Sequence, residues 1–245
     1  MTITTTTDLP RGRRPAPVGD EPVPPLRDGN RLAGKEFDRR YAATPDGTKA
    51  ELIEGIVYMP PPCFEEDHGA PHSDLVAWLG HYRAGTPGVI VSDNTSLRLD
   101  PRNRPQPDAY LRVLHTHGGR TRVARDGYVE GAPELVVEIA ASSIDRDLGE
   151  KFATYRRNGV REYLVWRTPD REFDWLLLGP RRHTRLRASR EGVYKSRVFP
   201  GLWLDAPAML RGDLATVLKV LQQGIASPEH AAFVAKLAKA AARRK

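Results

Sequence analysis

The stretch Glu134–Ala141, ELVVEIAA, constrains the fold most. From Leu135 to Ala141 the residues are almost continuously apolar, which is the pattern of a strand covered on both faces. Glu138 interrupts the run at its middle. An unpaired ionised carboxylate in such a strand costs on the order of several kcal/mol, so Glu138 must meet a cation, a metal ion or a proton. Downstream, Leu148, Phe152 and Tyr155 form the apolar stripe of a helix expected over Arg146–Asn158. Gly159 stands where a left-handed C-terminal cap ends such a helix, with Val160 placed for the accompanying apolar contact. EYLVW then reads as a second strand. Strand, helix and strand in this order predict an α/β fold with a mixed sheet and at least one crossover.

The rest of the chain supplies further strands and helices. A short helix is expected near Gly34–Ala42, followed by a hairpin in AELIEGIVYMPPP that bends at Gly55 and is closed by three prolines. From about Pro71, Leu75, Leu79 and Tyr82 recur at helical spacing up to Gly85. Short strands are expected around Val89–Val91, Ser96–Leu99 and Ala109–Val113, with the loop DPRNRPQPD between the last two. After EYLVW come FDWLLLG, a hairpin-like pair around Thr184–Leu186 and Val193–Phe199, and a helix near Leu214–Gln222. Ser227-Pro228-Glu229 is a good start for an alanine-rich basic helix. Residues 1–26 hold six prolines without periodicity and read as a disordered tail. The expected organisation is thus a tail over 1–26, one α/β domain over 27–225, and a basic C-terminal helix over 226–245.

Charge and cysteine content narrow the function classes. The net charge of +7 divides unevenly: zero over residues 1–26, +4 over 226–245, and +3 for the domain between. An anionic partner is compatible with this, but local clusters must carry the argument. The single cysteine, Cys63, excludes an internal disulfide, and no charged-then-apolar leader precedes the first element. The expectation is a cytoplasmic protein. No apolar run approaches the roughly 18 residues a membrane span needs, so no membrane partner is expected.

Asp108, behind Pro107 at the start of PDAYLRV, is the natural companion of Glu138. Two carboxylates from adjacent strand ends make the hard-oxygen site that Mg2+ (or Mn2+) prefers. Lys151 lies four residues before Tyr155 and three after Leu148, at the edge of the helical stripe, from where it can reach over Glu138. An ammonium there could orient a water and offset charge on a phosphate. Each residue also has a structural explanation: Glu138 as a buried partner of an arginine, Asp108 as a turn residue, Lys151 as a solvated helix residue. His68 and His72 are four apart, yet Gly69 and Pro71 between them and the lack of a third ligand argue against zinc. His115 and His117 read as surface residues. Ser142 and Ser143 lack a hydrolase nucleophile setting and read as helix caps. Arg98, Arg102 and Arg104, with Arg181, Arg182 and Arg185, form clusters able to neutralise phosphates.

These residues together resemble the PD-(D/E)XK nuclease superfamily, in its Uma-type, restriction-endonuclease-like branch. The resemblance covers about residues 34–215. It rests on ELIEG at 51–55, MPPP followed by His68, PDAYL at 107–111, VVEIAASS at 136–143, the run from Asp147 through Lys151 and Tyr155 to Gly159, and EYLVW. It implies a restriction-endonuclease-like mixed β-sheet flanked by helices. It further implies that Asp108, Glu138 and the backbone carbonyl of Ile139 bind the metal, that Lys151 is the catalytic lysine, and that Glu51 and His68 lie at the edge of the site. One departure is visible: the superfamily's lysine stands two residues after the second acid, where this chain has Ala140, and Lys151 on the next helix takes its place. The implied activity is metal-dependent endonucleolytic hydrolysis of nucleic acid, DNA by expectation. Cutting both strands calls for two sites and hence a homodimer. The alternative is a nuclease fold retained as a non-cleaving DNA-binding or assembly module.

Overall fold

Alternation along the central strands decides what lies on each side of the sheet. The computed structural model describes residues 22–243. Through residue 21 the expected tail therefore lies outside the described residues, as do Arg244 and Lys245. Within them, α1 (Gly34–Ala42) and the hairpin of β1 (Glu51–Ile53) and β2 (Ile56–Tyr58) form an N-terminal lobe. Leu26, Phe37, Tyr41, Leu52 and Val57 are its buried apolar residues. The hairpin turns on Glu54 (φ 52°) and Gly55 (φ 79°), the paired positive φ values that let a two-residue loop follow the twist of its strands.

A π-helical turn, Glu65–Gly69, leads into α2 (Ala70–Ala84). Next come β3 (Val89–Asp93), β4 (Leu97–Arg98), β5 (Ala109–Val113), β6 (Arg122–Val123), β7 (Val129–Glu130) and β8 (Leu135–Ala140). The crossover follows as α3 (Ile144–Arg146), a second π-helical turn (Asp147–Lys151) and α4 (Phe152–Asn158). It leads to β9 (Glu162–Arg167), β10 (Glu172–Leu178) and β11 (His183–Arg185). The main sheet has the order β11-β10-β9-β8-β5-β3. Only β8 and β9, joined by the crossover, run parallel; the other neighbours are antiparallel. β4, β7 and β6 form a small separate sheet.

One correction concerns the hairpin expected between Thr184–Leu186 and Val193–Phe199. β11 pairs instead with β10, while β12 (Val193–Lys195) pairs with β13 (Trp203–Asp205). Short polar strands carry no register information of their own, so hydrogen bonding to the longer neighbour decides. The chain ends with α5 (Ala206–Leu210), α6 (Leu214–Ile225) and α7 (Pro228–Ala242).

Leu135, Val137 and Ile139 of β8 face a core shared with Trp78, Leu79, Val217 and Leu221 of α2 and α6. Val136 and Ala140 face the opposite core, where Tyr155 of α4 packs. By the period of two, Glu138 lies on the α4 side. α7 docks on the first core through buried Leu237, and buried His230 brings its Nε2 within 2.9 Å of Thr86 Oγ1. Gly159 ends α4 with φ 88°, and the Val160 N–H donates to the Tyr155 carbonyl at 3.0 Å, closing the helix as its sequence predicts.

Candidate active site

Glu138 meets an ammonium. Its Oε1 lies 2.7 Å from Lys151 Nζ and accepts a 2.8 Å hydrogen bond from the Tyr155 hydroxyl. Both ends of the pair are buried, Glu138 at 3% exposure and Lys151 at 4%. The pairing is not one to one, however. The same Nζ lies 3.2 Å from Glu51 Oε1 and 3.4 Å from Asp147 Oδ1. Three carboxylates thus share one ammonium. Burial pushes the Glu138 carboxyl well above its usual range; Lys151 pulls it down, but Asp147, Asp108 and Glu51 add to the rise. Burial alone would lower the Lys151 ammonium, yet Glu138, Glu51 and Asp147 outweigh it and hold the group well above its ordinary value. The lysine is therefore charged, and three carboxyl groups crowd that one ammonium.

Asp108 stands across from Glu138, because β5 and β8 are antiparallel and Ala109 pairs with Val137. Its Oδ2 accepts the Ile139 N–H at 2.7 Å and its Oδ1 lies 3.0 Å from His68 Nε2. Burial opposes its ionisation, but hydrogen bonding and charge from His68, the charge of Lys151 and the Ile139 amide together lower its pKa. His72 supports the same residue from behind, with Nε2 3.0 Å from the Asp108 carbonyl oxygen. The rings of His68 and His72 stack at 5.7 Å. The spacing of four that suggested zinc thus serves Asp108.

These groups line a pocket of about 500 Å³ beyond the C-terminal end of β8. Pro60–Phe64 and His68 bound it on one side, Ser142, Ser143, Arg146 and Asp147 on another. Glu51, expected at the edge, is buried inside the cluster, where its Oε1 also accepts the Gln106 N–H at 2.7 Å. Asp147 was not singled out by sequence, although its i, i+4 relation to Lys151 could have found it. Its Oδ2 accepts from Ser143 Oγ at 2.5 Å, while its buried Oδ1 has no hydrogen-bond donor. Ser143 is the residue before α3, yet its hydroxyl goes to Asp147 and caps no backbone amide.

The arginine clusters divide. Arg104 is buried and its guanidinium reaches Asp38 and the carbonyl oxygens of Asp100 and Asn103. Arg98 pairs with Asp126 at 2.7 Å and Asp38 at 3.3 Å. These two hold the 98–104 loop to α1 and its surroundings through those partners. Exposed Arg102 donates to the Glu54 carbonyl at 2.6 Å, and Arg185 pairs with buried Asp174 at 2.6 Å. Arg181 and Arg182 are exposed in the β10–β11 turn.

For a divalent cation the donor chemistry fits: Asp108 and Glu138 are hard oxygen donors on one sheet face, and Asp147 Oδ1, 3.4 Å from Lys151 Nζ, accepts no hydrogen bond. Among the described residues no group of three or more His, Cys, Asp or Glu is arranged to hold a metal ion by itself, so water or backbone oxygens would complete the shell. Ile139 enters the observed site through its N–H. Among the described residues no helix is long and apolar enough to cross a membrane.

Comparison with known proteins agrees with this architecture. No curated protein matches the chain. A crystal structure described as a "putative nuclease belonging to DUF820" from Anabaena variabilis aligns with a TM-score of 0.52 at 12% identity, covering 71% of this chain and 96% of that one. At that identity the likeness speaks to the fold, which is restriction-endonuclease-like. The Uma2 family, described as "Putative restriction endonuclease", matches residues 35–207, from α1 to α5 and including every member of the buried cluster, and the chain belongs to that family.

Proposed function

We propose that the protein is a metal-dependent endonuclease that hydrolyses phosphodiester bonds of DNA. The observation that carries this reading is the crowding of Glu51, Glu138 and Asp147 around one buried ammonium, with Asp108 beside them at the mouth of a pocket. Such an arrangement holds more negative charge than Lys151 balances, and a Mg2+ or Mn2+ ion offsets the remainder. Asp108 and Glu138 would hold the cation, with the backbone carbonyl of Ile139. When bound, the cation polarises a phosphoryl oxygen and makes a water more acidic. His68 orients Asp108. Lys151 keeps its proton and supplies fixed positive charge beside the reacting phosphate, aiding the transition state more than the ground state. Arg181 and Arg182 are exposed in a turn at the far end of the sheet from the pocket, so their share in the reading is contact with phosphates farther along the nucleic acid strand.

One observation favours a second reading. Lys151 and Asp108 are both already fully partnered, as in a closed structural ion network, which suits a nuclease fold that binds DNA without cutting it. Incubating the purified protein with plasmid and single-stranded DNA in Mg2+, Mn2+ or EDTA separates the two. We expect cleavage only with the divalent ion, and its loss in Asp108→Ala and Glu138→Ala. Undiminished cutting by either variant at equal purity would refute the site. Binding without cutting in any metal would establish the second reading.

A further inference from the structure

Of the cations lining the pocket, Lys151 is committed to three carboxylates, and Lys49 Nζ donates to Asn94 Oδ1 at 2.8 Å. Arg146 is different. Its guanidinium lies 4.7 Å from the ring centroid of Tyr58, and its Nε is buried without a hydrogen-bond partner. Among the described residues it makes no ion pair. Tyr58 is itself fixed, because its hydroxyl donates to Glu150 Oε2 at 2.8 Å. The stack therefore holds a planar cation at the pocket wall with its donors uncommitted, beside the acid cluster and one residue before Asp147.

A buried, unsatisfied donor on a permanently charged group is costly unless a ligand completes it. A guanidinium fork matches two oxygens of a phosphate, and stacking on an aromatic ring leaves its edge free to present that fork. The other charged lining residues are mostly carboxylates, Glu51, Asp67, Asp108, Glu138 and Asp147, which repel a phosphate, so an uncommitted cation there has a purpose. We propose that Arg146 is the phosphate-binding residue of the pocket, gripping a phosphodiester of the nucleic acid strand next to the carboxylate cluster. The assignment of the strand rests on the nuclease reading above; the assignment of a phosphate does not.

The test is fluorescence anisotropy of labelled single-stranded and duplex DNA with the full chain in EDTA, where no turnover occurs. Arg146→Gln and Arg146→Lys are compared with wild type across a salt series. We expect Arg146→Gln to weaken binding roughly tenfold to hundredfold, the worth of a hydrogen bond to a charged group. The slope of log affinity against log salt should flatten by about 0.7 on single strands or 0.9 on duplex, as for one lost phosphate contact. Arg146→Lys should keep the slope and recover only part of the affinity. A folded Arg146→Gln with wild-type affinity and slope overturns the proposal; if that variant fails to fold, wild-type affinity in Arg146→Lys overturns it. Competition by inorganic pyrophosphate separates the two levels. Wild type that binds pyrophosphate through Arg146 but binds no DNA keeps the phosphate site and refutes the nucleic-acid reading. Wild type that cuts DNA while Arg146→Gln binds it equally well keeps the nuclease and refutes Arg146.

Discussion

Lys151 is the residue on which the buried cluster balances. Replacing it with methionine leaves Glu51, Glu138 and Asp147 facing one another without a counter-charge. Stranding a buried charge in this way costs about 3 to 5 kcal/mol. Because a divalent cation can replace the missing charge, Mn2+ should raise the melting temperature of Lys151→Met more than that of wild type, while cleavage stays lost. Equal shifts in the two proteins would show that the ammonium and the cation do not share one cluster. Glu138 gives a pH prediction for the EDTA-treated protein. Its folded pKa lies above the ordinary 4.5, so above that pH the folded state holds more protons than the unfolded one. Stability contributed by protonated Glu138 is therefore present at low pH and lost as pH rises through the folded pKa. Glu138→Gln should remove this part of the slope in a melting-temperature profile taken above pH 4.5; an unchanged slope would assign it to another group.

At the scale of elements, two short π-helical turns carry site residues. The first carries His68 to Asp108 and the second turns both Asp147 and Lys151 inward at the end of the crossover. Sequence periodicity showed a helix in this crossover but not its widened turn, since apolar spacing reports the covered face and not a one-residue register shift. Asp147 opened the run that marks the resemblance but was given no place in the site. β8 was legible because a carboxylate inside an apolar run has few explanations, and Asp108 because a proline fixed the entry to its strand. The loop arginines were not legible: Arg98 and Arg104 lie in a Pro- and Arg-rich segment whose acidic partners, Asp38 and Asp126, are remote in sequence. α7 likewise reads as a basic appendage until its narrow apolar face is seen against the core. Leu237→Ala should cost about 2 to 5 kcal/mol by opening a cavity there. Burial lowers the pKa of His230 below 6.5, so the unfolded state takes up a proton first and stability falls as pH drops below 6.5. Denaturant midpoints at descending pH test this, with the decline expected to shrink in His230→Gln.

For the whole molecule, the sheet brings together residues that are distant along the chain. The N-terminal lobe supplies Glu51, the turn before α2 supplies His68, β5 and β8 supply the facing carboxylates, and the crossover supplies Asp147 and Lys151. Three apolar clusters anchor the lobe, the sheet and the crossover, which lets the acid-rich centre persist without unfolding the domain. The central claim is that this centre is a divalent-cation site and not a structural ion pair. Paired thermal melts of wild type and Glu138→Gln, in EDTA and in Mn2+, test it most directly. In the cation-site account Gln still accepts from Tyr155 and Lys151, and relief of repulsion leaves the EDTA melt unchanged or raised. Mn2+ should then stabilise wild type alone, because it binds only the native site. A loss of about 3 to 5 kcal/mol for Glu138→Gln in EDTA, with Mn2+ stabilising neither protein, would mean that Glu138 is a structural partner of Lys151 and would contradict the account.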